Sequence, residues 1–292
     1  MRFPIVMPKA ATLCATVFLC ACNADVTTDL TISPAEGLGV ETLKLSVSEV
    51  RLLTDEDETL DGDGSGSSID LMAYVDGGLY QASQFSVDLD ASVIGVLVQF
   101  DGDATLSLAD GGEYTLTVEE ADDYADVDLE IDSETSSELI VTLELPFSLI
   151  ADDSDYTLHP VLRAVSSDDA ASLSGEMSSA YLHGESCSAS EVADGRVAAY
   201  LFQGSGKTPS DYYRNGTVAS SVQPYASAPV SALADGTGYT FTFRFLPGGN
   251  YTVAVTCEAD DEDPASLDGL DFIDSLSATL ADGEDLSLDF PD

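Results

Sequence analysis

Gly204-Ser205-Gly206-Lys207-Thr208 has the tail of a phosphate-binding loop, in which backbone amides and a lysine cradle phosphate oxygens. Such a loop needs a glycine five residues before Gly206, where Leu201 stands, and a helix after it, where Pro209, Ser210 and Asp211 continue a loop. The run therefore reads as a flexible connection. Acid–base chemistry near neutral pH has only His159 and His183 to draw on. His159 precedes a proline within an expected strand and His183 follows Tyr181-Leu182 in another, and no Gly-x-Ser-x-Gly elbow offers either one a nucleophile. Both are expected as half-buried strand side chains. With Asp plus Glu at 54, a close carboxylate pair says nothing about glycoside hydrolysis. The expectation is a protein that is not an enzyme.

Metal chemistry has one candidate. Asp61, Asp63, Ser65 and Gly66 match positions 1, 3, 5 and 6 of a calcium loop, but position 12 holds Met72 instead of the bidentate glutamate. Asp61, Asp63 and Ser65 are the candidate Ca2+ ligands, and Asp260-Asp261-Glu262-Asp263 is a poorer cluster of the same kind. The competing reading of Asp55 to Asp70 is a solvated hairpin loop, softened by glycines and dispensable for folding. For carbohydrate, the aromatic cluster to consider is Tyr212-Tyr213 with Tyr225, against the plainer reading of tyrosines packed on their own turns.

The cysteines carry an address. Residues 1–22 read MRFPIVMPKAATLCATVFLCAC: Arg2 and Lys9 form a positive start, and Ala10 to Leu19 is apolar but too short to span a bilayer as a mature helix. Leu19-Cys20-Ala21-Cys22 resembles a bacterial lipobox, whose last cysteine is acylated and becomes the mature N-terminus. Residues 1–21 are thus expected to leave as a lipoprotein signal peptide, with palmitate and companion chains on Cys22 holding the protein to the membrane. Asn23, standing where aspartate favours inner-membrane retention, leans toward the outer membrane. Cys187 and Cys257 are then the two left, and in an oxidising envelope compartment they are expected to form one disulfide. A zinc site fails for want of histidines at suitable spacing.

Composition sets the remaining limits. Lys plus Arg is 9, the formal net charge is −45, and 44% of residues are hydrophobic, so a core is affordable despite the acidity. Such a surface repels nucleic-acid phosphate and anionic lipid alike. The same acidity fits solubility in high salt, where about 3 Å of Debye screening at 1 M removes the repulsion.

These residues must be positioned by strands. Period-two alternation and β-branched runs recur, at Thr42–Val47, Ser92–Phe100, Tyr114–Val118, Leu139–Leu145, Arg196–Phe202, Tyr239–Phe245 and Tyr251–Thr256, and no helical stripe of ten residues stands beside them. Leu-Ala-Asp-Gly occurs at Leu108–Gly111, Leu233–Gly236 and Leu280–Gly283, and reads as one hairpin turn used three times. The class is all-β, with two sandwiches, immunoglobulin-like or transthyretin-like, over residues 25–166 and 173–292 and a polar boundary at Ser166–Ser172.

Leu45-Ser46-Val47-Ser48-Glu49-Val50-Arg51-Leu52, Ile69-Asp70-Leu71-Met72 and Tyr156-Thr157-Leu158-His159-Pro160-Val161-Leu162-Arg163 resemble the family called domain of unknown function 4382, found in bacterial envelope lipoproteins. Phe243-Arg244-Phe245-Leu246-Pro247-Gly248-Gly249-Asn250-Tyr251-Thr252-Val253 resembles the carboxypeptidase-regulatory-like sandwich. Neither resemblance implies a reaction. The expected role is structural or binding, in a lipid-anchored envelope protein. The alternative is a calcium- or carbohydrate-dependent adhesion module.

Overall fold

The computed structural model describes residues 23–89, 91–121, 123–131, 135–152, 155–184, 187–215, 222–267 and 269–290, with backbone alone for residues 36 and 103. The expected signal peptide and Cys22 lie outside the described residues.

The first part of the chain runs β1 (Asn23–Ser33), β2 (Val40–Thr54), β3 (Thr59–Asp63), β4 (Ser68–Asp70), β5 (Tyr80–Asp88), β6 (Ser92–Leu108), β7 (Glu113–Val118), β8 (Ala125–Glu130), β9 (Ser137–Glu144), the short helix α1 (Leu145–Ser148), β10 (Leu149–Asp152), β11 (Asp155–Leu158) and β12 (Leu162–Ser166). One sheet has the order β12-β9-β1-β5; the other runs β10-β11-β7-β6-β2-β3, with β4 on β2 and β8 on β6. Their facing sides close over one core that includes Val26, Leu30, Leu45, Leu52, Val96, Leu106, Leu139 and Val141.

The second part runs β13 (Ala171–Ser178), α2 (Ser179–Gly184), α3 (Ala189–Ala193), β14 (Ala198–Gln203), β15 (Ala226–Pro229), β16 (Ser231–Ala232), β17 (Gly238–Leu246), β18 (Gly249–Thr256), β19 (Phe272–Leu280) and β20 (Asp285–Ser287). Its sheets, β16-β17-β13-β20 and β15-β14-β18-β19, enclose Leu173, Phe241, Phe243, Leu201, Val253 and Val255. The fold is all-β, two sandwiches in series. Every segment expected from alternation lies on or against an observed strand.

β2 shows how pattern becomes shape. Leu43, Leu45 and Val47 are buried at odd positions, and Val50 and Leu52 at even ones. A side-chain period of two allows that change of phase only if one residue is left unpaired. The register against β6 slips between Val47 and Glu49, so the inward row continues past the bulge.

Two expectations are corrected. Asp55 to Asp70 is not a loose loop, since β3 and β4 both pair with β2. Gly62 lets that hairpin lie against Phe85: a Cβ there would stand 2.6 Å from the ring, far inside contact distance. Asp70 accepts from Leu43 N at 3.0 Å and Met72 N at 3.2 Å, capping the turn that buries Leu71. The Leu-Ala-Asp-Gly turns also divide. Those at Leu108 and Leu233 close hairpins, each with a glycine at positive φ, 87° at Gly111 and 71° at Gly236. The third, with Gly283 at 66°, carries the chain from β19 in one sheet to β20 in the other, where β20 pairs parallel with β13. The positive φ needed for a sharp reversal is shared, but which strand follows depends on packing.

One carboxyl on the first sheet behaves unusually. Asp29 on β1 is pushed up to about 6, first by burial and then by a hydrogen bond and like charge from Glu138 on β9. A raised carboxyl favours the protonated form, so its contribution to folding is complete below the ordinary value of 3.8 and is lost as pH rises through about 6. Asp29→Asn is therefore expected to raise the melting temperature at pH 7.5 and change it by no more than about 1 °C at pH 4. Equal shifts at both pH values would show that Asp29 titrates normally.

Candidate functional site

β9 and β14 are buried on both faces, and they mark where the sandwiches meet. On β9, Leu139, Val141 and Leu143 enter the first core, while Thr142 and Glu144 face outward and are buried all the same. On β14, Ala199 and Leu201 belong to the second core, while Ala198, Tyr200 and Phe202 turn toward Phe147 of α1. Phe147 meets Tyr200 edge-on at 5.6 Å and stacks on Tyr212 at 5.0 Å. Such aromatic pairs add about 0.5–1.5 kcal/mol each beyond the area they bury.

At the centre of this seam is a buried ion pair. Arg163 on β12 lies directly across from Thr142 in the β9 ladder. Its Nε donates to Glu144 Oε1 at 2.5 Å, with the two side chains 5% and 0% exposed. Glu144 also accepts from Ser33 Oγ at 3.0 Å and, across the seam, from Ser227 N at 3.3 Å. Arg163 Nη1 donates to the carbonyl of Phe245, whose φ of 54° is in the left-handed region. That conformation costs a bulky residue roughly 1–3 kcal/mol. The carbonyl it turns toward Arg163 is thereby satisfied.

A second polar clasp crosses the seam farther along. Glu119 Oε2 accepts from His159 Nδ1 at 2.9 Å and from Arg214 Nη2 at 3.0 Å. The hydrogen bond from His159 does most to hold the Glu119 carboxyl below its ordinary value; burial opposes it, and the Arg214 charge adds to the lowering. Between the central pair and the solvent lies a cleft of about 580 Å³, walled by β1, β9 and β12 on one side and by β15 and β17 on the other.

No family model matches the chain, and no curated protein matches it. Among solved structures, the chain is similar to a leucine-rich repeat protein from Bacteroides thetaiotaomicron, at 12% identity and a TM-score of 0.24, over 92% of this chain and 26% of that one. It is also similar to the fimbrial anchor protein Mfa2 from Porphyromonas gingivalis, at 12% identity and 0.19, over 82% and 80%. A fimbrial protein from Bacteroides ovatus gives 10% and 0.18, over 92% and 48%. The chain spans about a quarter of the first of these.

The residues singled out in the sequence take these places. His159 lies just past β11, part-buried and bonded to Glu119. His183 is not on a strand but in α2, where its Nε2 lies 3.1 Å from Tyr239 Oη. Six residues suffice for that helix because its residues bury Leu182 against the second core. Gly204–Thr208 is an irregular turn fastened to β18: Lys207 N donates to Thr252 Oγ1 at 3.0 Å, and Thr252 Oγ1 donates to Gly204 O at 2.7 Å. Asp61 and Asp63 sit on the exposed face of β3, with Asp61 3.5 Å from Arg51 Nε, and Ser65 accepts from Ser67 N in the turn beyond. Among the described residues no group of three acidic, histidine or cysteine side chains is placed to hold a metal ion.

The tyrosines do not form an open platform. Tyr212 is covered by Phe147, and Tyr225 stacks on Tyr251 at 6.4 Å. Glu262, counted with the second acidic cluster, is 8% exposed, accepting from Tyr200 Oη at 2.9 Å and Tyr212 N at 3.2 Å. Cys187 and Cys257 are bonded, their Cα atoms 5.6 Å apart, well within the usual span. The central pair and its cleft were not found from the sequence. Their signal is a charged residue inside each of two apolar strands, Leu-Ile-Val-Thr-Leu-Glu-Leu and Leu-Arg-Ala-Val.

Proposed function

We propose that the chain is a lipid-anchored protein of the bacterial envelope, outer-membrane by preference, with a non-catalytic structural or binding role. The observation that carries this reading is the arrangement of the two histidines. Each is tied to a neighbouring side chain, His159 to Glu119 and His183 to Tyr239, and neither bond leads to a serine or cysteine nucleophile. The bonded Cys187–Cys257 pair supports an oxidising compartment. The lipobox-like run ending at Cys22 supports the anchor. The resemblance of Leu45–Leu52, Ile69–Met72 and Tyr156–Arg163 to a family found in bacterial envelope lipoproteins supports the same reading.

Labelled palmitate should enter the wild-type chain and be absent from Cys22→Ala, with the variant retained as an uncleaved precursor. Equal labelling of the two would refute the anchor.

A further inference from the structure

β17 lines the cleft with consecutive residues, Thr240 through Phe245. Side chains alternate between the two faces of a strand, so a cavity reached by every residue in a row lies against the strand's edge. That edge is open. β16 pairs with β17 only at Ser231–Thr240 and Ala232–Tyr239. Before Ser231 the chain belongs to the other sheet, where Pro229 pairs with Ala198 and Val230 N donates to Val197 O. Leu233 N donates to Gly238 O, which fixes the backbone groups of Gly238 toward β16. Alternation then turns the N–H and C=O of Thr240, Thr242 and Arg244 the same way. Thr240 has Ser231 opposite, but among the described residues no backbone group pairs with Thr242 or Arg244 on that side. The open stretch ends at Phe245, whose carbonyl is held by Arg163.

An unpaired strand edge is a template for one more strand. This one is recessed between two sandwiches, in a cleft of about 580 Å³ that suits a short extended segment. The walls say which segment. Glu41, Asp76 and Asp194 stand exposed around the cleft. Of the cations on its lining, Arg163 is already paired with Glu144, which leaves Arg244 against three carboxylates. A basic segment gains from this field, and the net charge of −45 extends it. A second copy of this acidic chain is repelled by the same field. Val40, Met72 and Val75, half-buried on the side of the first sandwich, supply apolar surface for the segment's other side chains.

We infer that the cleft receives an extended, lysine- or arginine-bearing segment of another protein, which adds to β17 as a strand along Thr242 and Arg244. Backbone bonds to β17 give the affinity, and cations against Glu41, Asp76 and Asp194 give the preference. This inference names the partner for the binding role proposed above and rests on that role.

The test presents the full chain, extracted in detergent, to an array of ten-residue peptides in which Lys, Glu or Ser alternates with Val, Thr, Tyr or Leu. Hits are then measured by titration calorimetry. Lysine peptides should bind and glutamate peptides should not. Methylating every second backbone nitrogen of a lysine hit, in the phase that faces β17, should abolish binding, because that edge of the peptide can no longer donate. Thr242→Pro removes a donor that has no partner and puts a ring into the open edge. It should weaken binding at least tenfold and move the melting temperature by no more than about 3 °C. The triple variant Glu41→Gln, Asp76→Asn, Asp194→Asn should also weaken lysine peptides at least tenfold, and it decides together with the methylated peptide if the proline variant does not fold. The inference is overturned if no lysine peptide binds at millimolar concentration, or if glutamate peptides bind as well. It is equally overturned if binding survives backbone methylation or either folded variant, which is the mark of a diffuse attraction to the acidic surface. Palmitate labelling of the same preparation separates the outcomes: a labelled chain that fails on the array loses the strand site and keeps its envelope assignment.

Discussion

Arg163→Met should lower the stability of the chain by about 3–5 kcal/mol. At roughly 2–4 °C per kcal/mol for a protein of this size, that amounts to a fall of about 10 °C in melting temperature. The loss arises less from the attraction that disappears than from what remains. Glu144 is fully buried, and without the guanidinium its Oε1 keeps only Ser33 Oγ and its Oε2 only Ser227 N. The Phe245 carbonyl loses its donor as well, and the left-handed residue behind it loses the contact that holds it. Arg163→Met combined with Glu144→Met should recover most of the loss, since a buried pair replaced by apolar side chains of similar size is close to neutral. Thermal unfolding followed by circular dichroism reads both. A single variant that costs under about 1 kcal/mol would mean that water reaches Glu144 and that the seam is looser than its burial implies.

The second large effect is at Cys187–Cys257. The bond spans 70 residues, and on the chain-entropy model closing a loop of that length removes about 4 kcal/mol of freedom from the unfolded chain. It joins the segment before α3 to the end of β18, so it staples an early and a late part of the second sandwich. Paired Cys187→Ser and Cys257→Ser substitutions, or reduction, should lower the melting temperature by about 10 °C. Hydrogen exchange should rise in β13–β20 before it rises in β1–β12. Loss of protection spread evenly over both sandwiches would show that they unfold as one unit. Two reactive thiols on the unreduced, unfolded protein would remove the bond altogether.

The strands were legible because a half-buried strand writes its geometry at every second residue. Thr42–Val47 and Tyr239–Phe245 alternate plainly, and both lie on strands with one face in a core. The seam was hidden for the opposite reason. Leu139–Leu145 and Ala198–Phe202 are nearly continuous in apolar residues, which fits any strand covered on both sides and does not say what covers it. Glu144 and Arg163 lie 19 positions apart, and only the β9–β12 register brings them together. The acidic run at Asp55–Asp70 misled because charge was read as solvation. The backbone of Thr59–Asp63 pairs with β2 through groups that every residue carries, and its carboxylates simply face out. His183 was placed on a strand because a six-residue helix is too short to show a period of 3.6.

The pairing at the two ends of the described chain has a mechanical meaning. β1 is gripped on both sides, by eight residue pairs with β5 and eight with β9. Tension applied at Asn23 along the strand loads those backbone bonds sideways and together, so they fail as a set. At the far end, β20 pairs with β13 over three residues, and Leu288 N and Phe290 N carry the backbone bonding on to Ser174 O and Glu176 O, with Phe290 buried in the second core. A pull at Phe290 along its strand therefore meets one neighbouring strand and a buried ring, whereas a pull at Asn23 meets two neighbouring strands at once.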